Sequence, residues 1–258
     1  MGRTAFAALA LWLFVKWQKQ NLAWLVSKKI WQKRVISGAL LAIHWVSFFI
    51  AIQKDSVAIA LLGFATFPLF TTLFEPLLFS ERLTRRDLYS CFLVSIGLVL
   101  IVPEWRFSAT STQALLIAIG SAFSFAMLVL YNRHASDSDK NAVTSAFWQN
   151  AIASLCVSPM LFGQAFELSA HSLGLLVALG VLCTALAHGL FIASLGTLTA
   201  RQAAIVTALE PIYGIIIAWV WLHEVPAASV LLGGLLILIA STMASFNKKQ
   251  STEMKEEK

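Results

Sequence analysis

Charged residues are scarce in this chain. Only 12% of its 258 residues are Asp, Glu, Lys or Arg, which is about half of the roughly 25% found in soluble domains. No polar stretch is long enough to form a soluble domain of its own. Hydrophobic residues make up 59% of the sequence. Together these features exclude a soluble globular fold.

Cysteines are also few, and the motifs of several enzyme classes are missing. Cys91, Cys156 and Cys183 are odd in number and lie in apolar runs, so we expect small core residues and neither disulfides nor metal ligands. The chain has no Walker A loop, no G-x-S-x-G elbow and no glycine-rich dinucleotide loop. His223 begins H-E-V-P-A, which lacks the second histidine of a zinc protease. We expect no cofactor, no metal and no enzymatic activity.

What the sequence does contain is a series of apolar runs of about 20 residues, the length that an α-helix needs to cross a bilayer. The sequence predicts an all-α integral membrane protein with nine transmembrane helices. We place them at 4–16, 35–52, 57–79, 88–102, 113–131, 142–162, 173–195, 203–222 and 228–246. The expected partners are the lipid bilayer and a small-molecule substrate, and the oligomeric state is left open.

The basic residues are distributed unequally between the two sides of these spans. When the loops are assigned to alternate sides, 16 of the 19 Lys and Arg residues fall on one side, and only Arg3, Lys54 and Arg106 on the other. Basic loops face the cytoplasm, so we expect a bacterial inner-membrane protein with a cytoplasmic C-terminus and with Met1 outside. The net charge of +6 then reflects membrane orientation, and no nucleic-acid partner is expected.

Two stretches of the chain repeat each other at an offset of 143 residues: Ala58–Leu100 aligns without a gap with Arg201–Met243. The matches that fix the register are Pro68 with Pro211 and Glu81 with Glu224. The predicted span 35–52 runs outward and its copy 173–195 runs inward, so the copies are antiparallel across the membrane. Inverted repeats of this kind are typical of secondary transporters, which bind substrate near the midplane.

The repeat is incomplete at its beginning. The second copy has five predicted helices and the first has four, since a partner for span 113–131 would precede Met1. We expect a first repeat at 1–109, a second at 110–247 and a polar cytoplasmic tail at 248–258. Either the sequence starts at the wrong methionine or the chain is a truncated copy. In the second case, a non-transporting membrane protein or a partner subunit is the alternative to a transporter.

In each copy a proline precedes a glutamate by 13 positions, and a helix rich in small residues follows. The residues concerned are Pro68, Glu81 and Gly97, and then Glu210-Pro211, Glu224, Gly233-Gly234 and Leu236-Ile237. This pattern resembles the EamA family of the drug/metabolite transporter superfamily, whose members have two inverted halves of five helices. RTAFAALALWLF and LLIAIGSAFSFAMLVLYNRHA are similar to its second and sixth helices. The resemblance implies a transporter; relatives carry amino acids and their derivatives, S-adenosylmethionine, drugs and, more distantly, nucleotide sugars.

Two carboxylates lie inside predicted spans, each directly before a proline. A charged side chain at the bilayer centre costs about 2.5–3.5 kcal/mol, so Glu75 and Glu210 are candidates for substrate binding or proton coupling. Glu75 is close enough to the cytoplasmic end to snorkel to water instead. The repeat duplicates neither of them, because Glu75 aligns with Ala218 and Glu210 with Phe67.

Helical spacing groups further side chains with each of these glutamates. The two groups are Pro68, Thr71 and Thr72 with Glu75, and Thr207, Tyr213 and Gly214 with Glu210. Thr207 and Tyr213 are therefore substrate-binding candidates. Pro68 and Pro211 each remove a helical hydrogen bond, and we expect helix breaks there that face protein or a cavity.

His44 and His188 lie at nearly equivalent positions of the repeat, since His188 aligns with Trp45. Both histidines and Trp45 are candidates for binding substrate, and the histidines also for relaying protons. A hydrogen bond between helices is the alternative for each histidine. A further polar group, which either bonds across helices or stacks on substrate, consists of Trp148, Gln149 and Asn150.

Glu81 and Glu224 end their helices at opposite membrane faces. They either pair with loop residues, act in gating, or are solvated helix ends. Taken together, the sequence predicts a secondary transporter that works by alternating access. Its expected cargo is a small polar metabolite, such as an amino-acid derivative or an S-adenosylmethionine-like compound, with a proton or a counter-substrate as the coupling partner.

Overall fold

A computed structural model describes residues 2–19, 22, 27–79, 84–101, 109–135, 141–161, 169–198, 203, 207 and 209–246. All regular structure in these ranges is helical, so the all-α prediction is confirmed. Four of the described segments are long and apolar enough to cross a bilayer: Lys28–Lys54, Val57–Leu78, Thr110–Arg133 and Ala170–Ser194. The total number of membrane crossings stays a prediction.

The helices in chain order are α1 (Gly2–Trp17), α2 (Lys28–Lys54), α3 (Val57–Phe64), α4 (Phe67–Phe79), α5 (Arg85–Ile101), α6 (Thr110–Ala135), α7 (Ala142–Val157), α8 (Ala170–Gly180), α9 (Ala187–Ser194), α10 (Glu210–Leu222) and α11 (Ala228–Phe246). A short 3-10 helix, Ser158–Leu161, follows α7, and a π-helical turn, Val181–Leu186, joins α8 to α9.

The helix α2 begins at Lys28 and not at residue 35, where the predicted span starts. The Ser27 hydroxyl accepts a hydrogen bond from the Ile30 amide at 3.4 Å and so caps the helix. The intervening residues are mostly Lys, Gln and Arg, which are good helix formers but too polar to count as part of an apolar span. The added turns carry a group of lysines beyond the apolar part of the helix.

The first copy of the repeat contains a helix break inside the predicted span 57–79, just before Pro68. α3 ends at Phe64, a turn occupies Ala65 and Thr66, and α4 starts at Phe67. The Thr66 hydroxyl donates to the Gly63 carbonyl at 2.7 Å, and the Thr66 amide donates to the same carbonyl at 3.3 Å.

The second copy breaks at the equivalent place. α10 starts at Glu210, which is 143 residues after Phe67, and Leu209 before it lies in a turn. In both copies proline is the second residue of the new helix, as Pro68 and as Pro211. Proline is favoured in the first turn because its missing N–H has no helical partner to lose there. The two copies therefore share a helix start as well as a sequence motif.

The chain divides into two compact units, one formed by Met1–Ile43 and Tyr131–Thr197 and the other by His44–Leu130 and Leu198–Lys258. Each unit takes segments from both halves of the repeat, so the units are not the repeats themselves. The repeat boundaries at 1–109 and 110–247 stay a prediction.

In the first unit, α1 packs against α7 and α8. Gly180 allows this approach, because a Cβ at that position would lie 2.5 Å from the Phe6 Cβ. The expectation of buried cysteines is wrong for Cys156 and Cys183, which are free and exposed. In a membrane protein an apolar run includes lipid-facing positions, so an apolar setting does not by itself place a cysteine in the core.

In the second unit, α5 crosses α11 at a pair of glycines, Gly97 and Gly233. A Cβ added to Gly97 would lie 2.7 Å from the Gly233 carbonyl oxygen and 2.7 Å from Ile237 Cγ1. Small residues let helix backbones approach closely, and packing of this kind is a main source of helix association in lipid. Around the crossing lies an apolar core that includes Val94, Ile101 and Ile237.

The close crossing of α5 and α11 predicts that one added methyl group at Gly97 lowers the stability of the protein. Gly97→Ala forces the α5 and α11 backbones apart, and we expect a loss of about 1–3 kcal/mol of stability. The matched control is Gly174→Ala in α8, where an added Cβ meets no described atom within 4 Å. Thermal unfolding in detergent should show a lower Tm for Gly97→Ala and no loss for Gly174→Ala. Equal Tm values would contradict the close crossing.

Candidate functional site

The helix α4 places polar side chains in the interior of the second unit. Thr71, Thr72 and Glu75 are each at most 1% exposed. The Thr71 hydroxyl donates to the Pro68 carbonyl at 2.9 Å, one turn earlier. Glu75 is 0% exposed, which contradicts the alternative that its carboxylate snorkels to water. The structure thus brings Pro68, the two threonines and the glutamate onto one buried face, as their spacing indicates.

His44 lies in a hydrogen-bonded aromatic pocket of the second unit. The Ser121 hydroxyl donates to the His44 carbonyl at 2.9 Å, and His44 Nδ1 lies 2.8 Å from the same hydroxyl oxygen. Because the serine proton is already used, Nδ1 carries the proton and donates to it. Rings of Trp45, Phe64 and Phe125 lie 4.6–5.0 Å from the imidazole. The helix–helix hydrogen bond considered for His44 is therefore present.

His188 belongs to a chain of buried polar side chains in the first unit. Its Nε2 lies 3.0 Å from Gln149 Oε1, and Gln149 Nε2 donates to Asn132 Oδ1 at 2.8 Å. The three side chains are 8%, 2% and 9% exposed, in that order. Since Gln149 uses its amide nitrogen toward Asn132, its oxygen accepts from His188. We call Asn132, Gln149 and His188 the amide–histidine chain.

Two buried atoms at and beside the amide–histidine chain have no hydrogen-bond partner among the described residues: Asn132 Nδ2 and Asn150 Oδ1. Asn150 is 0% exposed, and its amide nitrogen donates to the Ala146 carbonyl at 2.9 Å. Buried polar groups are nearly always bonded, and an unbonded one costs about 1–3 kcal/mol. The open donor and the open acceptor are groups that a bound polar molecule would satisfy.

Arg3 is a functional candidate that the sequence analysis did not single out. Its Nε donates to the Thr184 hydroxyl at 2.5 Å, and its guanidinium also donates to the Cys183 carbonyl at 3.2 Å. The Thr184 hydroxyl in turn donates to the Leu179 carbonyl, five residues earlier, at 2.8 Å. Thr184 lies in the π-helical turn Val181–Leu186, and such turns are frequent at functional sites. The sequence signal that could have singled out Arg3 is an arginine at the start of an apolar run.

The structure brings the side chains that helical spacing grouped with Glu210 only partly together. Glu210 lies in the first turn of α10, where the partial positive charge of the helix end favours a carboxylate. Thr207 donates its hydroxyl to the Ala203 carbonyl at 3.1 Å, whereas Tyr213 is 55% exposed. The spacing argument assumed one continuous helix, and the start of α10 at Glu210 changes the angular relation between Thr207 and Tyr213. The structure does not bring the three side chains onto one buried face.

Glu224 caps another helix. Its Oε2 accepts a hydrogen bond from the Val57 amide at 3.0 Å, at the first residue of α3, while the Ser56 hydroxyl accepts from the Ile59 amide at 3.2 Å. A carboxylate is favoured at a helix N-terminus, so Glu224 joins the end of α10 to the start of α3. Its repeat equivalent, Glu81, lies outside the described residues.

A model of the EamA-like transporter family matches residues 1–102 and 112–246. The chain belongs to this family. Together with the long apolar helices, this makes it a multi-pass membrane protein of the transporter type.

Individual relatives that match most of this chain are named as transporters. The pseudopaline exporter CntI of two Pseudomonas aeruginosa strains is 28% identical over 224 residues, or 83% of this chain and 75% of the relative. The uncharacterized transporter YxxF of Bacillus subtilis is 24% identical over 211 residues, or 76% and 67%. A solved structure described as "Crystal structure of protein" matches 94% of this chain and 85% of its own, with a TM-score of 0.69 at 18% identity. That match bears on the fold alone.

The amide–histidine chain predicts coupling between its members. Gln149→Met leaves His188 Nε2 and Asn132 Oδ1 buried without their partner, and we expect a cost of about 1–3 kcal/mol. In a double-mutant cycle with His188→Phe, the second change should cost less in the Gln149→Met background, because the bond is already lost. Unfolding free energies measured in detergent give the cycle. Strictly additive effects would show that the pair does not interact.

Proposed function

We propose that this family member is a secondary transporter that moves a small polar metabolite across a bacterial inner membrane by alternating access. The observation that carries the proposal is the pair of helix starts at Phe67-Pro68 and Glu210-Pro211, at equivalent positions of the repeat. Interrupted helices at corresponding positions of inverted repeats are where secondary transporters form their binding sites. In this proposal the two breaks line the substrate path.

The carboxylates of the second unit support a substrate with a cationic group. Glu75 is fully buried and Glu210 is partly buried, and a carboxylate at membrane depth favours a cationic partner. An amino-acid derivative, or a sulfonium compound such as S-adenosylmethionine, carries the complementary groups.

The coupling partner and the direction of transport are proposed from different observations. His188, Glu75 and Glu210 are the candidates for exchanging a proton or for binding a counter-substrate. The relative named as a pseudopaline exporter favours export. The count of basic residues on the two sides supports a cytoplasmic C-terminus, with Met1 outside.

Glu210→Gln is the variant that tests the carboxylate. We expect transport efficiency to fall roughly 10- to 100-fold, because an ionic hydrogen bond contributes about 1.5–3 kcal/mol. The measurement is a metabolite screen on proteoliposomes containing the wild-type protein, followed by initial rates for the substrate found. Glu256→Gln, in the polar C-terminal segment, is the control and should match wild type.

Two results would count against this proposal in different ways. Equal transport by the wild type and by Glu210→Gln would remove Glu210 from the mechanism. A folded wild-type protein that transports no metabolite in either direction would favour the non-transporting alternative.

A further inference from the structure

The chain leaves α10 through a left-handed turn at His223. This residue has a φ of 59°, in a region that side chains other than glycine seldom adopt. The amides of His223 and Glu224 both donate to the Ala218 carbonyl, the second of them at 3.3 Å. Backbone strain of this kind persists where the surrounding contacts hold it in place. The residue that follows the turn is Glu224, and its carboxylate makes such a contact.

The contact of Glu224 is with the first residue of α3. Its Oε2 accepts from the Val57 amide at 3.0 Å, across 167 positions of sequence. In the same turn of α3, the Ser56 hydroxyl accepts from the Ile59 amide at 3.2 Å. Ser56 is a local N-cap, whereas Glu224 joins α3 to the end of α10. We call the hydrogen bond between Glu224 and Val57 the Glu224 clasp.

The helices α3 and α10 also touch between the clasp and the helix breaks. A Cβ added to Gly214 would overlap Leu61 Cδ1, so the lack of a side chain at this position lets the two helices approach. Leu61 lies one turn after Val57 and before the break at Ala65 and Thr66. The clasp therefore holds together the ends of α3 and α10 that lie away from the breaks.

The clasp lies at a level of the membrane where water can replace it. Glu224 is partly exposed, and both of its neighbours in the sequence are exposed. Trp219 and Trp221, in the last turn of α10, are 54% and 80% exposed, and tryptophan is enriched where a membrane helix meets the interface. A single hydrogen bond at this level can exchange with water. It can therefore open while the apolar crossing of α5 and α11 stays packed.

We propose that the Glu224 clasp is a gate latch, formed while this end of the substrate path is closed and released when this end opens. The inference rests on the proposed function, since a gate requires that the two helix breaks line a path. In the orientation proposed above, the latch lies on the outer side of the membrane. A contact made in only one of two states favours that state, so loss of the clasp shifts the protein toward the open state.

The test measures how fast a thiol at the first helix break is labelled, with and without the clasp. In the full chain with its three cysteines replaced by serine, a cysteine at Thr66 reacts with a membrane-impermeant maleimide in spheroplasts and in inside-out vesicles. We expect Glu224→Ala to raise the labelling rate roughly 3- to 10-fold from the outer side, because the closed state loses its latch. Glu224→Gln keeps an oxygen that accepts from the Val57 amide, and its rate should stay near that of the starting variant.

Ser56→Ala is the matched control. It removes a cap from the same turn of α3 but leaves the clasp, so its labelling rate should not change. Circular dichroism checks the fold of each variant. Glu224→Asp, whose carboxylate is one methylene too short for the clasp, should also raise the rate and replaces Glu224→Ala if that variant is unfolded.

Two results would overturn the latch. One is an unchanged rate in the folded Glu224 variants that lack the clasp. The other is an equal rise in Ser56→Ala, which would make Glu224 a helix cap and nothing more. Labelling needs no transported substrate, so a protein that transports nothing can still show the latch. Active transport with an unchanged labelling rate would remove the latch alone and leave the proposed function standing.

Discussion

The need to satisfy every buried polar group within the protein governs this structure. Lipid offers no hydrogen-bond partners, so a helix that breaks or a side chain that carries an amide must find its partner inside. Thr66 bonds the Gly63 carbonyl at the break between α3 and α4. Glu224 meets the Val57 amide at the start of α3. At these two points a side chain bonds a backbone group at the end of a helix.

The same constraint separates packing from sites of function. His44 and Ser121 satisfy each other in two hydrogen bonds, and this pair holds α2 against α6. The amide–histidine chain differs, because the buried Asn132 Nδ2 at its end has no hydrogen-bond partner in the part of the chain that the structure describes. An incompletely satisfied buried group is costly unless a ligand completes it. The open groups of the first unit are candidates for binding a substrate, and the described hydrogen bonds of His44 join two helices.

Sequence patterns predicted the helical fold, and helical spacing grouped Pro68, Thr71, Thr72 and Glu75 on one face of α4. They succeeded because hydropathy, proline position and helical spacing are local properties. They failed where the three-dimensional surroundings decide the exposure or the contacts of a side chain. Tyr213, three residues after the start of α10, is exposed, and apolar runs did not distinguish exposed Cys183 from core residues. The contact between Arg3 and Thr184 joins residues 181 positions apart, which no local pattern specifies.

Whether the two helix breaks line a path for substrate is best measured by thiol accessibility. In a variant with Cys91, Cys156 and Cys183 replaced by serine, cysteines are placed singly at Thr66 and at Leu209, and at Leu175, which is 58% exposed, as a lipid-facing control. A membrane-impermeant maleimide is applied to spheroplasts and to inside-out vesicles. Alternating access predicts labelling at Thr66 and Leu209 from both sides and none at Leu175. Absence of labelling at both breaks from both sides would contradict a substrate path there.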